Sequence, residues 1–87
     1  MEFTQNLIPV DSHKSFYGKA KVIIRDGKTL LKSYNTIVCE IDENGAFKRT
    51  WYGWSATTAR HIDSFRAKYG LPRINKATWC KMEVEAI

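Results

Sequence analysis

The chain has 87 residues, 44% of them hydrophobic and 13% aromatic, with fourteen Lys and Arg against nine Asp and Glu, for a net charge of +5 and a pI near 9.4. That length fits one small domain with a modest core, and the apolar share excludes a disordered chain. No run approaches the roughly 18 apolar residues of a membrane-spanning helix, and Cys39 and Cys80 lack the paired spacing of a zinc site.

Residues 1–14 read as an extended lead-in whose Leu7, Ile8 and Val10 can lie along a sheet. Residues 16–25 alternate, with Phe16, Gly18, Ala20, Val22 and Ile24 on one side and Tyr17, Lys19, Lys21, Ile23 and Arg25 on the other. Asp26-Gly27 is a two-residue hairpin signal, since both positions accept positive φ. A second strand follows over 28–34 and a third over 36–42, the latter with Ile37, Cys39 and Ile41 as its apolar face. Glu43-Asn44-Gly45 turns the chain into a fourth strand, 46–54, with Phe47 and Trp51 inward. Three short connections in a row predict an antiparallel meander.

Ser55 then caps a helix that runs to Tyr69 and is closed by Gly70, with Pro72 just beyond. At about 100° per residue, Thr58, Ile62, Phe65 and Tyr69 form the stripe that packs on the sheet. Thr57, Arg60, Ser64 and Lys68 take the wet side, and His61 the edge of the stripe. A shorter helix is predicted from Asn75 to Met82, docked by Trp79 and Met82, and 83–87 form an acidic-apolar tail whose order, flexible or fixed, stays open. The expected fold is therefore α+β in one domain, 1–87: a four-stranded antiparallel β-meander packed by one α-helix, with a short C-terminal helix. Its core is expected to hold Phe16, Val22, Ile24, Leu31, Ile37, Cys39, Ile41, Phe47, Trp51, Ile62, Phe65 and Trp79.

Two surfaces are candidates for binding. On the outer face of the meander the alternation gathers Tyr17, Lys19, Lys21, Arg25, Lys28, Lys32, Tyr34, Lys48 and Tyr52. Cations interleaved with flat rings suit a phosphate backbone with bases stacked on the aromatics. The plain alternative is a solvated antiparallel face, which collects Lys and Tyr without any ligand. Ile23, Leu30 and Val38 share that face and mark a protein-contact patch if they are uncovered. The second surface is the strand-to-helix junction, where Trp54, Thr57 and Arg60 crowd a helix N-terminus suited to anions. Its plain alternative is capping by Ser55 and nothing more.

Catalysis is not expected. His13 and His61 come with no spaced nucleophile or carboxylate pattern, and no glycine-rich phosphate loop, metal box or cofactor motif is present. A Cys39–Cys80 disulfide stays open, although no secretory leader accompanies it.

The phrases Phe-Tyr-Gly-Lys-Ala (16–20), Ser-Tyr-Asn-Thr-Ile-Val (33–38), Trp-Ser-Ala-Thr-Thr-Ala-Arg-His-Ile (54–62) and Asn-Lys-Ala-Thr-Trp (75–79) together resemble an uncharacterised small-protein family of phages and other mobile elements of Gram-positive bacteria. The resemblance runs from Phe16 to Met82 and implies a small accessory protein in the cytoplasm of a bacterial host. Accessory proteins of this kind bind nucleic acid or obstruct a host defence protein, as anti-CRISPR inhibitors do. The expected partner is therefore a nucleic acid or nucleoprotein, with a host defence protein as the alternative and no membrane involved; the oligomeric state stays open, a dimer included.

Overall fold

The structure, a computed structural model, describes residues 2–8 and 18–85. In chain order the elements are β1 (Glu2–Asn6), β2 (Ala20–Arg25), β3 (Lys28–Ser33), β4 (Thr36–Ile41), β5 (Phe47–Arg49), α1 (Ala56–Lys68) and α2 (Lys76–Lys81). The strands form one antiparallel sheet in the order β1-β2-β3-β4-β5. The meander thus has five strands where four were expected, and the lead-in supplies the extra one. Glu2 pairs with Arg25 and Asn6 with Lys21, after which Leu7 turns into the core. The run Glu-Phe-Thr-Gln-Asn has a single apolar residue, so it carries no alternation to announce a strand; its partner strand organises it.

Turn chemistry sets the register of the remaining strands. Asp26 (φ 51°) and Gly27 (φ 81°) make the tight β2–β3 hairpin that their residue types demand. Between β4 and β5 the Asp42 carboxylate accepts from Ala46 N and Asn44 N at 2.9 Å each. Those bonds, with Lys48 beside them, hold its carboxyl below the usual carboxylate range. A bulge interrupts β3–β4, so that Leu31 faces Cys39 while Lys32 faces Ile37. Val38 is the extra residue and joins Cys39 in the core, and Ile37 shifts to the Lys32 side of the sheet. Ile37 is accordingly only half-buried, contrary to the expected third-strand face.

One face of the sheet carries both helices. Leu7, Ala20, Val22, Leu31, Val38 and Cys39 meet Ile62 and Phe65 of α1, Ile74, and Trp79 of α2, with Phe47, Trp51 and Trp54 packed at the margin. Helix α1 lies against β3, and at the hairpin end of β1 and β2 apolar side chains are exposed. Ile24 is exposed there beside its partner Phe3 and does not join the core. Phe16 lies outside the described residues. Ser55 caps α1 by accepting from Thr58 N, Asn75 caps α2 by accepting from Thr78 N, and Gly70 (φ 77°) ends the first helix, as the residue types require. The helix phase holds for Thr58, Ile62 and Phe65, but Ser64 and His61 are also buried, not on a wet side or an edge.

Arg49 joins these parts. It is the inward residue between Phe47 and Trp51 and is only 5% exposed. Its guanidinium donates to the carbonyl oxygens of Trp51 (2.8 Å), Trp79 (2.9 Å), Met82 (3.2 Å) and Tyr52, and it lies 5.0 Å above the Trp79 ring. Its own carbonyl accepts from Glu85 N at 2.8 Å, and Val84 bridges it in parallel, so 83–85 run beside β5. Arg49→Leu should lower the unfolding free energy by on the order of 3 kcal/mol, because several buried carbonyls lose their donor at once. Arg49→Lys should recover only part of this, since an ammonium cannot reproduce the planar fork. Urea melts of the two variants check both expectations.

Candidate functional site

The sheet register decides which charges share a surface. On the face away from the helices stand Lys21, Arg25, Lys28, Lys32 and Lys48, together with Glu2 and Glu40. Carboxylates engage one part of this set. Arg25 pairs with Glu2 at 2.5 Å, Lys28 with Glu40 at 4.0 Å, and Lys48 with Asp42 at 3.4 Å and Glu85 at 3.8 Å. The neighbouring hairpin turns add Asp26 and Glu43 at that end. At the other end, Lys21 and Lys32 face each other directly across β2 and β3. Among the described residues no carboxylate pairs with either of them or with Lys19. Six carboxylates thus stand with three cations at one end of the sheet, and the other end is cationic.

Tyr34 sits at the cationic end, in the β3–β4 turn. Its φ of 56° is left-handed, a conformation that costs a bulky side chain about 1–3 kcal/mol. Its N–H donates to the Lys19 carbonyl at 2.7 Å, its ring lies 5.8 Å from the His61 ring, and the Lys19 ammonium stands 5.9 Å over it. Tyr34 thus leaves the outer face expected of it and stands at the sheet's end, 49% exposed.

Beneath it lies a buried polar cluster. Ser33 Oγ is 2.8 Å from His61 Nδ1 and 3.1 Å from Thr58 Oγ1, all three residues being nearly inaccessible. Burial, with Arg60 and Lys19 nearby, lowers the His61 pKa to about 4, so the ring is neutral at physiological pH. A serine against an imidazole invites a nucleophilic reading, but His61 is 1% exposed, which leaves a substrate no approach. The cluster seats α1 on β3. No spacing rule pairs Ser33 with Thr58 and His61; their residue types carried no signal of it.

Other expected site residues fall elsewhere. Tyr52 lies beyond β5 and is 82% exposed, in a loop whose carbonyls Arg49 and the Trp79 indole hold. A Cβ on Gly53 would overlap the Trp51 indole, so this loop requires its glycine. Trp54 is half-buried, 6.2 Å from Trp79. Thr57 is exposed on α1, and Arg60 is half-buried near His61. Tyr17 lies outside the described residues. Ile23, Leu30 and Val38 are all buried, so they form no contact patch. Both cysteines are free, Cys39 buried and Cys80 exposed, which closes the disulfide option. Between α1 and the segment before α2 lies a groove of about 460 Å³ lined by Trp54, Ala59, Asp63, Arg73, Ile74, Asn75 and Lys76. No helix among the described residues is long and apolar enough to cross a membrane.

A family model described as a family of unknown function, DUF8033, matches residues 5–81. No curated protein and no solved structure matches the chain.

The buried histidine makes a pH prediction. Its folded pKa, about 4, is below the ordinary value of 6.5, so the unfolded chain takes up the proton first as pH falls. The associated stability is complete above about pH 6.5 and drains away toward pH 4, amounting at most to about 3 kcal/mol. Urea midpoints measured across that window should fall in the parent protein and fall less in His61→Gln. The His61 Cε1–H resonance should titrate well below 6.5.

Proposed function

The chain belongs to the DUF8033 family, and we propose that it is a non-enzymatic binding protein that grips a nucleic-acid backbone with the cationic end of its sheet. The observation that carries this reading is the direct opposition of Lys21 and Lys32, with Lys19 beside the same end and no carboxylate among the described residues pairing with them. Like charges placed opposite each other on adjacent strands destabilise a sheet. A polyanion relieves that repulsion and gains affinity by releasing its condensed counterions. Tyr34, held in a strained backbone with half its surface open, offers a ring for a base to stack on. Arg25, Lys28 and Lys48 contribute less, because phosphate must compete there with Glu2, Glu40, Asp42 and Glu85.

A second reading has a different observation behind it. Tyr52 is exposed on a loop that Arg49 holds rigid, and a preorganised aromatic is what a protein-docking anchor needs. On this reading the chain is an inhibitor of a host defence protein, docking through Tyr52 and Trp54. Capture of a partner from nuclease-treated lysate, abolished by Tyr52→Ala, supports it; loss of the partner on nuclease treatment supports the first.

Fluorescence anisotropy with labelled single- and double-stranded DNA and RNA over a salt series tests the leading reading. The parent should bind with a log–log salt slope, and Lys21→Ala/Lys32→Ala should reduce that slope by about 1.4–1.8, two phosphate contacts' worth. Lys28→Ala/Lys48→Ala should change it less. Absent or salt-independent binding overturns the proposal.

A further inference from the structure

The groove between α1 and α2 is unused by the lysine surface, and its lining is chemically mixed in a particular way. Trp54 provides a flat apolar wall, its position fixed by the neighbouring Trp79, whose indole N–H donates to Gly53 O at 2.8 Å. Ala59 and Ile74 continue the apolar lining. Asp63, with only 16% of its side chain exposed, accepts from Arg73 Nε at 3.3 Å and from Ile74 N at 3.4 Å. The Arg73 side chain is 88% exposed, and Lys76, also exposed, lines the same groove. One carboxylate therefore shares the groove with two cations, and it is already occupied in orienting Arg73.

From an indole wall, two cations at the mouth and a volume of about 460 Å³, the geometry points to a subsite for one unpaired nucleotide, its base against Trp54 and its phosphate between Arg73 and Lys76. Aromatic stacking accepts any base, and the guanidinium and ammonium are the usual phosphate partners. Asp63 is a positioning residue, holding Arg73 at the mouth. The inference rests on the nucleic-acid reading for its ligand class, but on a different part of the surface.

Adenosine monophosphate titrated into the ¹⁵N-labelled full chain tests it. The expected result is saturable shifts of the Trp54 indole and of the Arg73 and Lys76 amides, with adenosine and inorganic phosphate each binding more weakly. Arg73→Gln/Lys76→Gln, at exposed positions, should weaken binding about tenfold with an unchanged thermal midpoint. Lys21→Ala/Lys32→Ala should leave mononucleotide binding intact. The inference is overturned by shifts confined to the sheet's lysine end, by no saturable shift, or by phosphate alone binding as tightly as the nucleotide. Any of these results leaves salt-dependent binding of longer strands by Lys21 and Lys32 to be judged separately.

Discussion

The Arg49 guanidinium is the interaction on which the rest of this structure depends. A short edge strand of three residues, a two-turn helix and an irregular loop each have too few contacts of their own to stay in place. Arg49 supplies donors to all of them at once, through the carbonyls of Trp51, Tyr52, Trp79 and Met82. The charge is buried, yet it donates four hydrogen bonds to carbonyl oxygens whose alternative partner is water, so desolvation is offset. Its backbone carbonyl also recruits Glu85. The aromatic cluster of Phe47, Trp54 and Trp79 follows from this, because the Trp79 ring lies under the guanidinium.

The polar contacts beneath α1 solve an equivalent problem on β3, the central strand of the sheet. Ser33, Thr58 and His61 seat the helix on β3 through buried side chains, and burial keeps the imidazole neutral. Cys39, under the same layer, has its thiol pushed up by burial and acts as a small apolar residue. With one face of the sheet committed to this packing, the charged residues are left on the other face and at the strand ends. There the turns dictate the segregation: Asp26, Asp42 and Glu43 are turn formers at one end, and the β3–β4 turn at the other end contains no acid.

Much of this was legible in the residue order. Asp26-Gly27, Asp42 to Gly45, Ser55, Gly70 and Asn75 each perform the local task their chemistry suits, and the element ends beside them fall there, whereas the strand expected over 46–54 is regular only over Phe47–Arg49. Thr58, Ile62 and Phe65 face the core by simple helical spacing. The placement of Lys21, Arg25, Lys28, Lys32 and Lys48 on one side follows from strand alternation alone. Tyr34 and Tyr52 did not follow it, because the first occupies a turn and the second lies past the strand's end.

What the sequence determined by itself is local: turns, caps, helix phase and strand parity, all set by interactions within a few residues. Tertiary structure decided the rest, because each remaining feature depends on a partner distant in the chain. Leu7 and β1 need β2; the bulge that puts Val38 inside and Ile37 outside needs the register of β3; Ile23 and Leu30 are buried despite standing on the charged face. Ion pairing selects among five cations that alternation treats alike, and it selects by where Glu2, Glu40, Asp42 and Glu85 come to rest. Arg49 is the sharpest case. Parity placed it inward between Phe47 and Trp51, but only the assembled fold holds the carbonyls, up to 33 residues away, that make a buried arginine stable.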